Sequence, residues 1–138
     1  MSETHEDFST QTGVVRLEWR EGLARIALDL QPRHLNRGGV LHGGVLMTLL
    51  DEAGALCGLW CSVAGNRRRS VTVDLNCQFT AQSRTGRVIA TGTLVSHGRS
   101  LYFTRSEVVD ESGRVLAFGT STHKWRRGSE TLEGMPQG

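Results

Sequence analysis

Asp51 stands inside an otherwise apolar run, "VLMTLLDEAGAL", nine residues after His42 and just downstream of the paired glycines Gly43 and Gly44. A carboxylate can act as a nucleophile or as a general base on water, and either role gains from a second group that steadies the charge developing on the attacked oxygen. Gly43 and Gly44 begin a helical pattern. A helix N-terminus presents unpaired backbone N–H groups, with the positive end of the helix dipole behind them. With no side chain at either position these donors are open to an incoming group, so the Gly-Gly pair is a candidate oxyanion hole. The plainer reading is a tight loop-to-helix turn.

Spacing limits how these parts can cooperate. Eight residues, at a rise of ~1.5 Å each, set Asp51 ~12 Å along the axis from Gly43, too far for both to act on one carbonyl. Two copies of the helix lying antiparallel and crossing near Met47 would bring Gly43 of one chain beside Asp51 of the other, giving two composite sites. Gly44, Met47, Asp51, Gly54 and Gly58 form a nearly side-chain-free stripe along one side of the helix. An interior glycine costs ~1 kcal/mol relative to alanine, so the stripe implies close approach of another backbone, with a second copy of the helix as the expected occupant.

The elements that must hold these residues follow from periodicity. "VVRLEWREGLARIALDL" alternates on both sides of Glu21-Gly22 and reads as a β-hairpin. Val45, Leu46, Leu49, Leu50, Ala53, Leu56, Cys57 and Trp60 recur at helical spacing, which predicts a helix from about Gly43 to Val63. "SVTVDLNCQF" then alternates, with Val71, Val73, Leu75, Cys77 and Phe79 on one face and Thr72 on the polar side. Three more strands, "RVIATGTLVSH", "SLYFTRSEVVD" and "RVLAFGTSTHKW", are separated by turns such as Gly98-Arg99. The order ββαββββ predicts an α+β fold in which an antiparallel sheet wraps one long helix. A single domain is expected across residues 1–138, with a core of about 13–126 and flexible tails at both ends.

Composition removes several function classes. The 138 residues carry a formal charge of +2, and the arginines are scattered, so no nucleic-acid partner is expected. No apolar run approaches the ~18 residues of a membrane span, and the polar N-terminus lacks a signal-peptide core, so a cytoplasmic protein is expected. The three cysteines sit in apolar patterns and imply no disulfide framework. His5, His34, His42, His97 and His123 lack the spacing of a zinc site, and Cys57 with Cys61 supplies only two ligands, so no metal is expected. A serine-hydrolase G-x-S-x-G is absent from the sequence.

Asn36, five intervening residues, His42-Gly43-Gly44 and then Asp51 within "HGGVLMTLLDEAGAL" resemble the hotdog-fold acyl-CoA thioesterases of the phenylacetic acid degradation (PaaI-like) type. The resemblance continues through "SVTVDLNCQF" and "SHGRSLYFTRSEVVDESGRVLAFGTSTH" and covers all but about the first and last dozen residues. It implies that Gly43 gives its N–H to the thioester oxygen. Asp51, from the opposing subunit, would attack the carbonyl carbon or activate a water, and both roles stay open. Asn36 would hold the water or the substrate carbonyl through its amide, and His42 would position the loop or the thioester. Thr72 stands where relatives place a hydroxyl or carboxylate near the reaction centre. For the CoA moiety the resemblance singles out Arg99, with Gly98 of the same turn, and Lys124. Gly44 is a further contact, and the basic cluster Arg67, Arg68 and Arg69 is the alternative site for the nucleotide. No cofactor is implied, since CoA is part of the substrate. The expected partners are an acyl-CoA and further copies of the chain, as a dimer or dimer of dimers. Two other readings remain in view, an acyl-thioester hydratase or dehydratase and a non-catalytic acyl-CoA-binding protein. The Asn36, His-Gly-Gly and Asp51 pattern favours hydrolysis.

Overall fold

The computed structural model describes residues 7–137; the acidic stretch before them, including His5, lies outside. A short helix, α1 (Phe8–Thr12), begins at Asp7, whose side chain accepts the Thr10 N–H, and ends at Gly13 with φ 100°. Strands β1 (Val15–Arg20) and β2 (Leu23–Asp29) form the expected hairpin, and Gly22 supplies the positive φ of its turn. The long helix α2 (Gly43–Leu56) follows, and then β3 (Asn66–Arg67), β4 (Ser70–Phe79), β5 (Arg87–His97), β6 (Leu101–Val109), β7 (Val115–Trp125) and β8 (Met135–Pro136). Six strands pair antiparallel in the order β1-β2-β5-β6-β7-β4, and the sheet curls around α2. Leu46, Leu49, Leu50 and Ala53 of the helix pack with Ile26, Leu28, Val88, Ala90, Val108 and Leu116 of the strands. This is the hotdog arrangement. At Gly92 a Cβ would run into the Ala53 carbonyl, so glycine lets β5 pass this close to the helix backbone. No helix among the described residues is long and apolar enough to cross a membrane.

Four features depart from the sequence reading. The helix stops at Leu56, seven residues before Val63, where aromatic side chains from three strands take its last two carbonyls and one just beyond its end. Trp19 Nε1 donates to the Leu56 oxygen, Tyr102 Oη to that of Ala55, and Trp125 Nε1 to that of Gly58, each at 2.8 Å. The small-residue stripe is not left whole for another copy. Gly54 and Gly58 are buried against the chain's own sheet, Gly54 under Thr104 and Ser121 and Gly58 under the Tyr102 ring, while Gly44 and Met47 stay exposed.

The third departure lies in β4. Its ladder with β7 slips between Thr72 and Asp74, which makes Val73 the extra residue of a bulge. Side-chain parity reverses there. Ser70 and Thr72 lie opposite buried Trp125 and His123, and beyond the bulge Leu75 lies opposite buried Ser121, so all three share the helix-facing side of the strand, with Thr72 at an exposed position. Val71 and Val73, expected on one face with Leu75 and Cys77, are exposed on the opposite side. Finally, the chain after Trp125 is folded, against the expectation of a loose tail. Met135 pairs with Arg67, Ser129 is buried, and its hydroxyl accepts the Arg69 N–H at 2.9 Å.

Candidate active site

The loop leading to α2 is closed by Asn36. Its Oδ1 accepts the N–H groups of Gly38 at 2.8 Å and Val40 at 3.3 Å, and its own N–H donates to the Val40 oxygen. The side-chain carbonyl is thereby occupied, and the exposed side chain presents its NH2 group as a donor. His42 is the N-cap residue of α2, extended at φ −66°, ψ 134°. Its Nδ1 accepts the Gly44 N–H at 2.8 Å, and its carbonyl accepts those of Val45 and Leu46. A Cβ at residue 44 would sit 2.9 Å from that Nδ1, so glycine there makes room for the cap. Of the two glycine donors expected to be open, Gly44 is therefore used. Among the described residues, no acceptor meets the Gly43 N–H. A cavity of about 490 Å³ lies between this helix end, at His42, Gly44, Val45 and Thr48, and the residues Phe8, Gln11, Thr12, Arg33 and His34.

Two turns further on, Asp51 is half-buried and its Oδ1 accepts the Thr72 hydroxyl at 2.6 Å. The bulge at Val73 aims Thr72 inward at this carboxylate. Behind Thr72 lies His123, fully buried, with Nδ1 3.2 Å from the Thr72 hydroxyl and Nε2 2.8 Å from Ser121 Oγ. Ser121 in turn meets Thr104 Oγ1 at 2.6 Å. The Tyr102 ring stacks on the imidazole with centroids 5.0 Å apart. Burial holds His123 below the usual imidazole range, and the Asp51 charge offsets part of that effect. Glu52, the adjacent acid, turns toward α1, where Ser9 donates to it at 2.9 Å, and burial raises its carboxyl.

Asp51 and Thr72, placed at separate points of the sequence reading, are thus brought together. Asn36, His42 and Gly43 gather at the other end of the helix. Thr104, Ser121 and His123 escaped the reading as a group, although Gly119, Ser121, His123 and Trp125 fall at period two on a strand otherwise rich in buried apolar residues. Polar residues repeating on a core face were the available signal.

The basic candidates separate. Arg68 is buried; its Nε donates to the Ser129 oxygen at 2.9 Å, its Nη1 to that of Trp60 at 3.3 Å, and its guanidinium lies 4.6 Å from the Trp125 ring centroid. Arg68, expected near the CoA moiety, here anchors the C-terminal return. Arg69 is exposed and, with Arg67, Arg126 and Arg127, lines a cavity of about 250 Å³. Gly98 and Arg99 lie exposed in the β5–β6 turn, and Lys124 alternates to the exposed side of β7, opposite Val71 and Leu101.

The thioesterase superfamily model matches residues 38–117, from the loop before α2 into β7. A putative esterase of Deinococcus radiodurans is 32% identical over 112 residues, 80% of this chain and 73% of that protein. Acyl-coenzyme A thioesterase 13 of Homo sapiens is 28% identical over 97 residues, 69% of this chain and 67% of that protein. The fold is also similar to a solved mutant structure of the phenylacetic acid degradation protein PaaI from Thermus thermophilus, with a TM-score of 0.74, 30% identity and coverage of 85% of this chain and 96% of that one.

Proposed function

The chain belongs to the thioesterase superfamily and is a thioester hydrolase, and from that premise we propose that its substrate is an acyl-CoA, cleaved to the free acid and CoA by Asp51 of one protomer and the α2 N-terminus of another. The observation that carries this reading is the pair of groups on one helix, a carboxylate oriented by Thr72 and an unmet N–H at Gly43. Their ~12 Å separation along the axis keeps them from serving one carbonyl within a single chain. An antiparallel second copy crossing near exposed Met47 resolves the geometry.

In the composite site the thioester oxygen would accept the Gly43 N–H, where the helix dipole favours the negative charge of the tetrahedral intermediate. The Asn36 NH2 group would donate to the carbonyl or to the attacking water. Asp51 would take the proton of that water, or attack the acyl carbon itself and be released by water. On either route the C–S bond breaks, and the thiolate leaves and is protonated to CoA. The residues use no cofactor for these steps. The cavity lined by Arg67, Arg69, Arg126 and Arg127 suits the phosphates of the nucleotide end.

Thiol release from a panel of acyl-CoAs tests the activity. Turnover should appear with at least one acyl group, and Asp51→Asn should lower it by about 10³-fold with the fold intact. Binding of acyl-CoA with no release from any ester would instead identify a carrier. Mixing Asp51→Asn and Asn36→Ala chains tests the sharing, because a hybrid dimer holds one intact site and should recover about half the wild-type rate. Demonstrated subunit exchange without recovery would leave the composite site untenable.

A further inference from the structure

The hydrogen bonds behind Asp51 admit one consistent placement of protons. Thr72 has a single hydroxyl proton, and at 2.6 Å from Oδ1 it must go to the ionised carboxylate, which can only accept. The Thr72 oxygen is then an acceptor, so the nitrogen facing it at 3.2 Å, His123 Nδ1, has to carry hydrogen. In a neutral ring Nε2 is left bare and accepts from Ser121 Oγ at 2.8 Å. With its own proton committed, Ser121 accepts from Thr104 at 2.6 Å. Every donor along Thr104, Ser121, His123 and Thr72 therefore points toward Asp51. A protonated ring would reverse Ser121 and then Thr104, whose hydroxyl finds no further acceptor among the described residues.

We propose that His123 is a positioning residue for the hydrolysis: held as the Nδ1–H tautomer by Ser121, it fixes Thr72 as a one-way donor to Asp51 Oδ1 and leaves Oδ2 for the reacting water or acyl carbon. Three structural features are arranged around this relay. The bulge at Val73 turns Thr72 inward, and the Tyr102 ring clamps the imidazole at 5.0 Å. Gly54 omits a side chain whose Cβ would lie 2.7 Å from both Ser121 Oγ and Thr104 Oγ1. A core that needed only volume would fill these positions with apolar groups, since each buried polar atom must be satisfied. The same chain acts cooperatively, because each donor polarises the next.

The inference rests on the hydrolase reading, and its test has one arm that does not depend on activity. Long-range ¹H–¹⁵N spectra of the ¹⁵N-labelled wild-type protein at neutral pH should show His123 neutral with hydrogen on Nδ1; hydrogen on Nε2, or on both nitrogens, overturns the proposal. In the kinetic arm His123→Phe keeps the ring stack and removes both nitrogens. It should lower kcat by about 10- to 100-fold, with KM changed by no more than about threefold. His123→Asn, whose amide can still donate to Thr72, should recover most of the loss, which mere restoration of packing would not do. Should His123→Phe fail to fold, Ser121→Ala serves in its place. It frees the ring to change tautomer and should lower kcat by about 3- to 10-fold with Thr104 still present. A folded variant of either kind with wild-type kcat overturns the proposal. Wild-type protein that releases no thiol while showing the Nδ1–H ring would sink the hydrolase reading and leave the relay standing.

Discussion

The N–H groups at the start of α2 are capped by one local side chain, His42, whereas the carbonyls at and just beyond its other end are taken by Trp19, Tyr102 and Trp125 from three strands. The contrast extends to the glycines. Gly44 is exposed, but Gly54 and Gly58 are pressed against the sheet with no room for a Cβ. A helix end used for chemistry has to keep a donor unsatisfied, which is a local loss of stability. The far end supplies the compensating rigidity by satisfying its carbonyls with buried aromatic donors. Asp51, between the two, is held by the side that does not react.

Removing the free donor should have the largest effect. Gly43→Pro deletes that N–H at the first helical position, where proline is tolerated and where the extended backbone of His42 already suits a following proline. The expected result is a fall in kcat of about 10²- to 10³-fold at an unchanged melting temperature. An active proline variant would move the oxyanion donor elsewhere. At the other end, Gly58→Ala drives a methyl into the Tyr102 ring and should cost about 2–3 kcal/mol in urea unfolding. Gly44→Ala, near the exposed His42 ring, should change stability by less than about 1 kcal/mol. Equal losses at both positions would erase the distinction between the ends.

The buried ring beside Asp51 makes a pH-dependent prediction. His123 titrates below its unfolded value of about 6.5, so the unfolded chain binds more protons in the window between the folded and unfolded values. Its contribution to stability is complete above about pH 6.5 and declines as pH falls through that window, with a slope of up to about 1.4 kcal/mol per pH unit. Chemical denaturation of wild type and His123→Asn across pH 5 to 7.5 should show the acid loss in the wild type alone. A small effect on stability, with almost none on turnover, is expected for Trp19→Phe. It leaves the Leu56 carbonyl without its indole donor and should lower stability by about 1 kcal/mol, with kcat within about twofold of wild type.

Much of this architecture is legible in the chain. The bounds read for the strands at residues 87–97 and 70–79 match β5 and β4 to the residue, and the helical spacing after His42 marks the start of α2 at Gly43. Asp51 and the His-Gly-Gly turn also stand out, because an acid in an apolar helix and adjacent glycines at its start are local features of the sequence. The helix end is less legible. Apolar spacing continues past Leu56 through Cys57 and Trp60, and the donors that end the helix come from positions 19, 102 and 125.

Composition and periodicity by themselves determined the α+β class, the strand order along the chain and a carboxylate eight residues from a helix N-terminus. Only the tertiary structure decided which groups meet that carboxylate. One bulge at Val73 reverses the parity of β4, so a threonine that alternation assigns to the solvent face points at Asp51. The histidine behind it arrives from β7, 72 positions beyond Asp51 in the sequence. Alternation is a local rule with a period of two, and a single inserted residue inverts it without leaving a mark that the neighbouring side chains would reveal.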